Sequence, residues 1–335
     1  MTQNPPTLDA VATLAGRSCP LHYRYSPSMF ACPAPEHLSE LEVLYVVGGL
    51  YGNEAALQRV IELFEQESGR ARLVFNGDFH WFDADPAVFS RIQQTVMRFE
   101  ALRGNVETEL ADDSSDTNAG CGCAYPDWVG DNVVERSNRI HNVLRSCITT
   151  AQQRELQALP MWLRADVGAL RLGLVHGDAQ SLAGWGFAQE HLRDDQHRDA
   201  VERWLDQARV DAFASTHTCL PVFQRLGAGA GAQGASGARW VFNNGAAGMP
   251  NFQGDPAGLV TRVALTPFKG PERRFGVVER GVHIDALAID IDAAAWQRQF
   301  QQLWPEGSDA HASYFQRIQH GPVYHLKDAV RPQEN

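Results

Sequence analysis

Apolar and polar residues follow each other along this chain in two rhythms. LEVLYVV (41–47) is almost wholly apolar, the mark of a strand buried on both faces. A glycine-rich turn, GGLYG, follows it. NEAALQRVIELFEQES (53–68) then sets Ala56, Leu57, Val60, Ile61, Leu63 and Phe64 at helical spacing. ARLVFNG (71–77) predicts a second strand, and PAVFSRIQQTVMRF (86–99) a second amphipathic helix with Pro86 suited to its first turn. Strand, helix, strand, helix predicts a largely parallel α/β unit.

Before residue 41 the chain is rich in proline and turn residues and predicts an irregular arm over 1–40. Residues 108–147 are less regular. DDSSDTNAGCGCAYPD predicts a loop, and VVERSNRIHNVLRSC a return to helix. TTAQQRELQALP (149–160) predicts a short helix between a threonine cap and a proline stop. LRLGLVHGD (170–178) predicts a strand ending in a polar turn, VERWLDQA (201–208) a helix, and DAFAST (211–216) a strand end. LPVFQRL and ARWVFNN predict paired strands around a mobile glycine- and alanine-rich loop at 227–237. FGVVERGVHIDALAID (275–290) predicts a β-hairpin, with AAAWQRQFQQLW as the final helix. The expected organisation is therefore the arm, one domain over 41–292 and a helical tail over 293–335.

Bulk properties narrow the classes. Of 335 residues, 44% are hydrophobic and 21% charged, enough for a substantial core. The net charge of -11 disfavours binding to a nucleic-acid duplex, which needs clustered Lys and Arg. No apolar run reaches membrane-spanning length, and MTQNPPTLDAVATLAG does not read as a signal peptide, so a cytoplasmic setting is expected. The six cysteines, with Cys121 and Cys123 only two apart, suit a reducing compartment better than a disulfide framework.

The chemistry gathers at predicted strand ends, in NGDFHW (76–81), RGNVE (103–107), VHGD (175–178) and STHTC (215–219). Ligands of open α/β sheets collect at the carboxyl ends of strands. Asp78, Asn105, His176 and His217 supply a carboxylate, an amide oxygen and two imidazoles. That set suits Mn, Fe, Zn or Co better than Ca or Mg. Taken singly, each is as readily a turn former or a hydrogen-bonded histidine; it is the four together that point to a metal.

These motifs resemble those of the calcineurin-like metallophosphoesterases, D-x-H, G-D-x-x-D, G-N-H-[DE], a lone His and G-H-x-H. In their places stand GLYGN (49–53), GDFHW (77–81), GNVE (104–107), HG (176–177) and THTC (216–219), and NNGAAGMPNF (243–252) is similar to the family's closing turn. The resemblance spans about residues 41–290. It implies a four-layer α-β-β-α sandwich of two mixed sheets, and phosphatase or phosphodiesterase activity on a small phosphorylated substrate.

The resemblance also implies two metal ions sharing Asp78. Asn105, His176 and His217 match the other ligands of one ion. The private ligands of the other ion are replaced by Gly49, Tyr51 and Cys219. The third-motif histidine is Val106, and the second aspartate of G-D-x-x-D is Trp81. One ion is therefore expected, with weak or specialised hydrolysis; the alternative is a non-catalytic protein that holds a phosphorylated ligand or a partner. Candidate compensations are a Cys219 thiolate, His80 as a ligand, the Cys121–Cys123 pair as a clip or redox couple, Tyr51 donating to a phosphate oxygen and Arg103 steadying an anion. The plainer roles for these residues are ordinary packing and surface charge. The arm and tail could pack on the domain, cover the site or form a homo-oligomer contact.

Overall fold

The computed structural model describes residues 15–17, 19–32, 37–112, 119–228 and 237–331. In chain order the elements are β1 (His37–Leu41), β2 (Val43–Val47), α1 (Glu54–Phe64), β3 (Ala71–Asn76), α2 (Pro86–Val96), β4 (Glu100–Leu102), α3 (Asn105–Ala111), α4 (Asp131–Arg145) and α5 (Thr150–Gln157). There follow β5 (Trp162–Val167), β6 (Leu170–Val175), α6 (Asp195–Ala208), β7 (Ala212–Ser215), β8 (Val222–Ala228), β9 (Ala238–Asn243), β10 (Gly258–Ala264), β11 (Arg273–Glu279) and β12 (Val282–Ile289). The last are α7 (Ala293–Leu303), α8 (Asp309–His320) and β13 (Val330–Arg331).

The strands form two mixed sheets, one of seven in the order β1-β5-β6-β7-β9-β8-β13 and one of six in the order β11-β12-β10-β2-β3-β4. β2 shows why they stack. Side chains alternate across a strand, so Leu44 and Val46 point into a core shared with Leu172 and Leu174 of β6 in the other sheet. Val43, Tyr45 and Val47 point the other way, into a core shared with Leu57 and Val60 of α1 and Phe300 of α7. All five residues of β2 are buried, as its unbroken apolar run predicts. On the far face of the seven-stranded sheet, Val201 and Leu205 of α6 pack with Phe213 and Val241. The layers are helix, sheet, sheet, helix, as expected.

Several elements differ from the sequence reading. The arm is not wholly irregular: β1 pairs in parallel with β5, and Tyr23 and Phe30 are buried. β4, β5, β10 and α3 add to the pattern, and α6 starts at Asp195, where Asp194 accepts from the His197 amide. The helix at 293–303 is not the last. α8 follows it, and β13 then joins the seven-stranded sheet beside β8. The stretch at 227–237 falls mostly outside the described residues. Among the described residues, no helix is long and apolar enough to cross a membrane.

Candidate metal centre

β2, β3 and β4 run parallel in one sheet, β6 and β7 in the other. Their carboxyl ends meet at one seam. The Asn76 amide crosses it and donates to the Val175 carbonyl at 2.8 Å. Asp78 follows β3, Asn105 opens α3 directly after β4, His176 follows β6 and His217 follows β7. Asp78 sits at φ 54°, a left-handed backbone that a non-glycine residue holds only when its surroundings enforce it. Buried Glu107 does so. Its carboxylate accepts from the amides of Asp78 at 2.7 Å, Gly104 at 2.8 Å and His80 at 3.3 Å. A Cβ at Gly104 would lie 2.3 Å from Asp78 Oδ1, so these loops approach only because residue 104 is glycine.

His176 Nε2 is the hub. It lies 3.2 Å from Asn105 Oδ1, 3.3 Å from Asp78 Oδ2 and 3.2 Å from His217 Nδ1. The outer nitrogens are already engaged: His176 Nδ1 with the Asn76 carbonyl at 2.8 Å, and His217 Nε2 with the Cys123 carbonyl at 3.0 Å. Carbonyls only accept, so those nitrogens carry the protons and His176 Nε2 and His217 Nδ1 present lone pairs. Asn105 donates its Nδ2 to the Cys121 carbonyl at 2.8 Å, which turns Oδ1 inward. Four electron-pair donors thus face one another. A proton on His176 Nε2 serves one acceptor at a time; a cation among them serves all four. Donors about 2.0–2.2 Å from one tetrahedral ion lie about 3.3–3.6 Å apart, close to the three distances from His176 Nε2. Asp78, His176 and His217 form a buried candidate metal-ligand group.

The electrostatics fit a cation. Burial pushes the Asp78 carboxyl up, but the imidazoles of His176 and His217 outweigh it and hold it low. Burial opposes charge on His176, which Asp78 more than offsets, so its pKa is raised and an ion would have to displace a proton from Nε2. Burial and the neighbouring His176 push His217 down to about 4, the neutral form a ligand needs.

The other candidate residues divide. Tyr51 and Cys219 come together beside Asp78 and share a hydrogen bond of 2.7 Å between hydroxyl and sulfur. Burial raises both pKa values, so the pair stays neutral and the expected thiolate is not favoured. His80 does not reach the cluster: its ring stacks on Phe89 at 3.6 Å and its Nδ1 bonds Asp83. Arg103 does not reach it either, facing a separate hollow with His22, Thr108 and Gln157. Cys121 and Cys123 are free thiols, sulfurs 2.7 Å apart, and Cys123 Sγ lies 3.4 Å from Asn105 Nδ2. Their carbonyls orient Asn105 and His217. Val106 and Trp81 line the cavity over the cluster, which holds about 370 Å³.

Residues that the motifs did not flag complete the cavity: Arg136 of α4, Tyr314 and Arg317 of α8, and Tyr125 and Trp185 from loops. The Trp185 indole donates to the Cys123 carbonyl at 3.0 Å. A signal for α8 exists in SDAHASYFQRI, where Ser308 caps the helix and Ala310, Tyr314 and Ile318 recur at helical spacing.

Solved structures share this fold. The metallophosphoesterase of Sphaerobacter thermophilus is similar at TM-score 0.53 and 15% identity, over 84% of this chain and 100% of that one. A hypothetical protein of Pyrococcus horikoshii OT3 is similar at TM-score 0.55 and 14% identity, over 84% and 99%. The chain has a metallophosphoesterase-like fold. No protein-family model and no curated protein matches its sequence.

Proposed function

We propose that this protein is a metal-dependent phosphoesterase that works with a single divalent transition-metal ion, Mn, Fe, Zn or Co, held by Asp78, Asn105, His176 and His217. The observation that carries this reading is the four inward-facing donors, the imidazoles fixed by the Asn76 and Cys123 carbonyls and the amide by that of Cys121. Such outer partners set ligand orientation in metal sites. A bound divalent ion supplies Lewis-acid polarisation of a phosphoryl oxygen and an activated water at neutral pH. The chain's own part is to hold the donors, and to exclude bulk water with Trp81, Val106 and Trp185. Val106 offers no proton to a leaving group, so turnover is slow or confined to esters with good leaving groups.

A second reading has its own support. The closed Tyr51–Cys219 pair and Val106 suit a non-catalytic protein that holds a phosphorylated ligand on the ion. Metal content per chain, measured by mass spectrometry on untagged protein, and hydrolysis of 4-nitrophenyl phosphate and its bis-ester decide between the two. About one ion per chain and chelator-sensitive turnover, both lost in His176→Ala, support the phosphoesterase. Turnover that survives His176→Ala sinks it. One ion with no turnover leaves the ligand-holding reading.

A further inference from the structure

The cavity above the donor cluster is charged in an uneven way. The chain carries a net charge of -11, yet among the described residues Asp78 is the one carboxylate in a cavity wall that also includes Arg136 and Arg317. Arg317 is anchored rather than neutralised: its Nε donates to the Pro250 carbonyl at 3.2 Å and one Nη to the Cys219 carbonyl at 3.0 Å. No carboxylate among the described residues pairs with it. The guanidinium plane is fixed beside the Tyr51–Cys219 pair, where it also acts on the Cys219 sulfur. Arg136 has no hydrogen-bond or ion-pair partner among the described residues. Asp309, on whose carboxyl Arg136 acts at longer range, is held by Arg139 in a two-pronged pair at 2.8 and 2.9 Å. The rest of the wall is largely aromatic and apolar, with Trp81, Tyr125, Trp185 and Tyr314.

We propose that Arg317 and Arg136 form an anion-binding pair in the same cavity as the donor cluster, and that with the aromatic wall they select a phosphoryl compound bearing a planar, apolar group. The inference rests on the phosphoesterase-like reading for the identity of the anion. The guanidinium fork matches phosphoryl oxygens. With Asp78 committed to an ion, the cavity's remaining charge is positive, and Arg317 puts a fixed cation beside the corner where Tyr51 and Cys219 bring none. The ring of the ligand lies against the aromatic side chains, which favour stacked or edge-on partners. A cavity of about 370 Å³ has room for such a molecule. Aryl phosphates and nucleotides share this chemistry.

Calorimetric titration of the manganese-loaded full chain with phenylphosphonate, methylphosphonate and adenosine 5′-monophosphate tests it, because the two phosphonates bind without being hydrolysed. Phenylphosphonate is expected to bind about tenfold or more tighter than methylphosphonate. Arg317→Met is expected to weaken both about tenfold or more, with Arg317→Lys recovering part. Tyr314→Leu is expected to narrow the gap between the two phosphonates. Adenosine monophosphate tighter than phenylphosphonate assigns the ring to a nucleobase; the reverse assigns it to a simple aryl group. Arg136→Met breaks no hydrogen bond or ion pair among the described residues, so it is expected to fold and to bind both phosphonates several-fold more weakly. Unchanged affinity in a folded Arg136→Met or Arg317→Met protein overturns the pair, and equal affinity for the two phosphonates overturns the aromatic selection. Binding that depends on Arg317 without hydrolysis of 4-nitrophenyl phosphate keeps this inference and defeats the catalytic reading. Hydrolysis with binding indifferent to both arginines does the opposite.

Discussion

Two corners of one cavity, both touching Asp78, solve the same problem in opposite ways. In the first, Asp78, Asn105, His176 and His217 point electron pairs at each other, and backbone carbonyls of Asn76, Cys121 and Cys123 hold the imidazoles and the amide in that unsatisfied pose. In the second, Tyr51 and Cys219 bond to each other and are left with no need of a cation. The second corner is also filled. A Cβ at Gly49 would lie 2.4 Å from Tyr51 Cζ, so the tyrosine ring occupies the space a side chain at 49 would need. Gly49 and Tyr51 are a matched pair. The comparison teaches that a buried polar corner needs no cation when its groups satisfy one another and its volume is taken up. Burial without partners would cost far more.

The largest test of this contrast is Gly49→Asp. With the Tyr51 ring in place it is expected to destabilise by about 3 kcal/mol, as overpacking does, and thermal unfolding reads it. In Gly49→Asp/Tyr51→His/Cys219→His the phenol gives way to the smaller imidazole, so stability is expected to recover and metal content to rise from about one ion to two. A triple variant that stays as unstable as the single one, with one ion, breaks the comparison.

The next effect concerns how the first corner is held. Glu107→Ala strips the acceptor from three backbone amides and from the left-handed turn at Asp78. A loss of about 3 kcal/mol is expected in denaturant titration, together with weaker metal retention. Glu107→Gln keeps one carbonyl oxygen and should lose less. Equal stability of the parent and Glu107→Ala would show that the turn holds itself.

A third prediction separates the brace from its surroundings by pH. Glu109, on the same helix, accepts from the Tyr23 hydroxyl, and burial pushes its pKa up to about 7. A folded carboxyl that keeps its proton above the unfolded value contributes most at low pH. That contribution is lost as pH rises from about 4.5 to about 7. Glu109→Gln should therefore be more stable than the parent at pH 8, by up to about 3 kcal/mol, with the gap closing by pH 4. A gap independent of pH would locate the effect elsewhere.

The smallest effect is expected in the second corner. Tyr51→Phe removes one hydrogen bond from a neutral pair, worth about 1 kcal/mol or less, and should leave the metal content unchanged. A change in metal content there would mean that the two corners are coupled.

Much of this was legible in the sequence. The unbroken run of β2 and the helical spacing of α1 and α2 belong to elements whose burial is written locally. Asp78, His176 and His217 stand at the ends of strands that the pattern predicts, and Asn105 was marked by its motif alone. What was hidden depends on long-range contact. β4 has three residues, too few to show a period, and β1 forms only because β5 lies alongside. β5 does alternate Leu163, Ala165 and Val167 with Arg164 and Asp166. The carbonyls of Cys121 and Cys123 matter more to the site than their sulfurs, and a backbone carbonyl has no letter in a sequence. His80 shows the converse. Placed by spacing beside a ligand, it is turned away because Phe89 and Asp83 offer it a stack and a hydrogen bond.

The place of α8 in the chain has a consequence for synthesis. All four donor side chains lie at or before residue 217, and the wall from Ala312 to Arg317 is made later. At a translation rate of about 5–20 residues per second that interval lasts on the order of ten seconds. During it the donors stand on a chain whose cavity still lacks one side. The four donor residues are thus synthesised before the helix that closes the cavity over them.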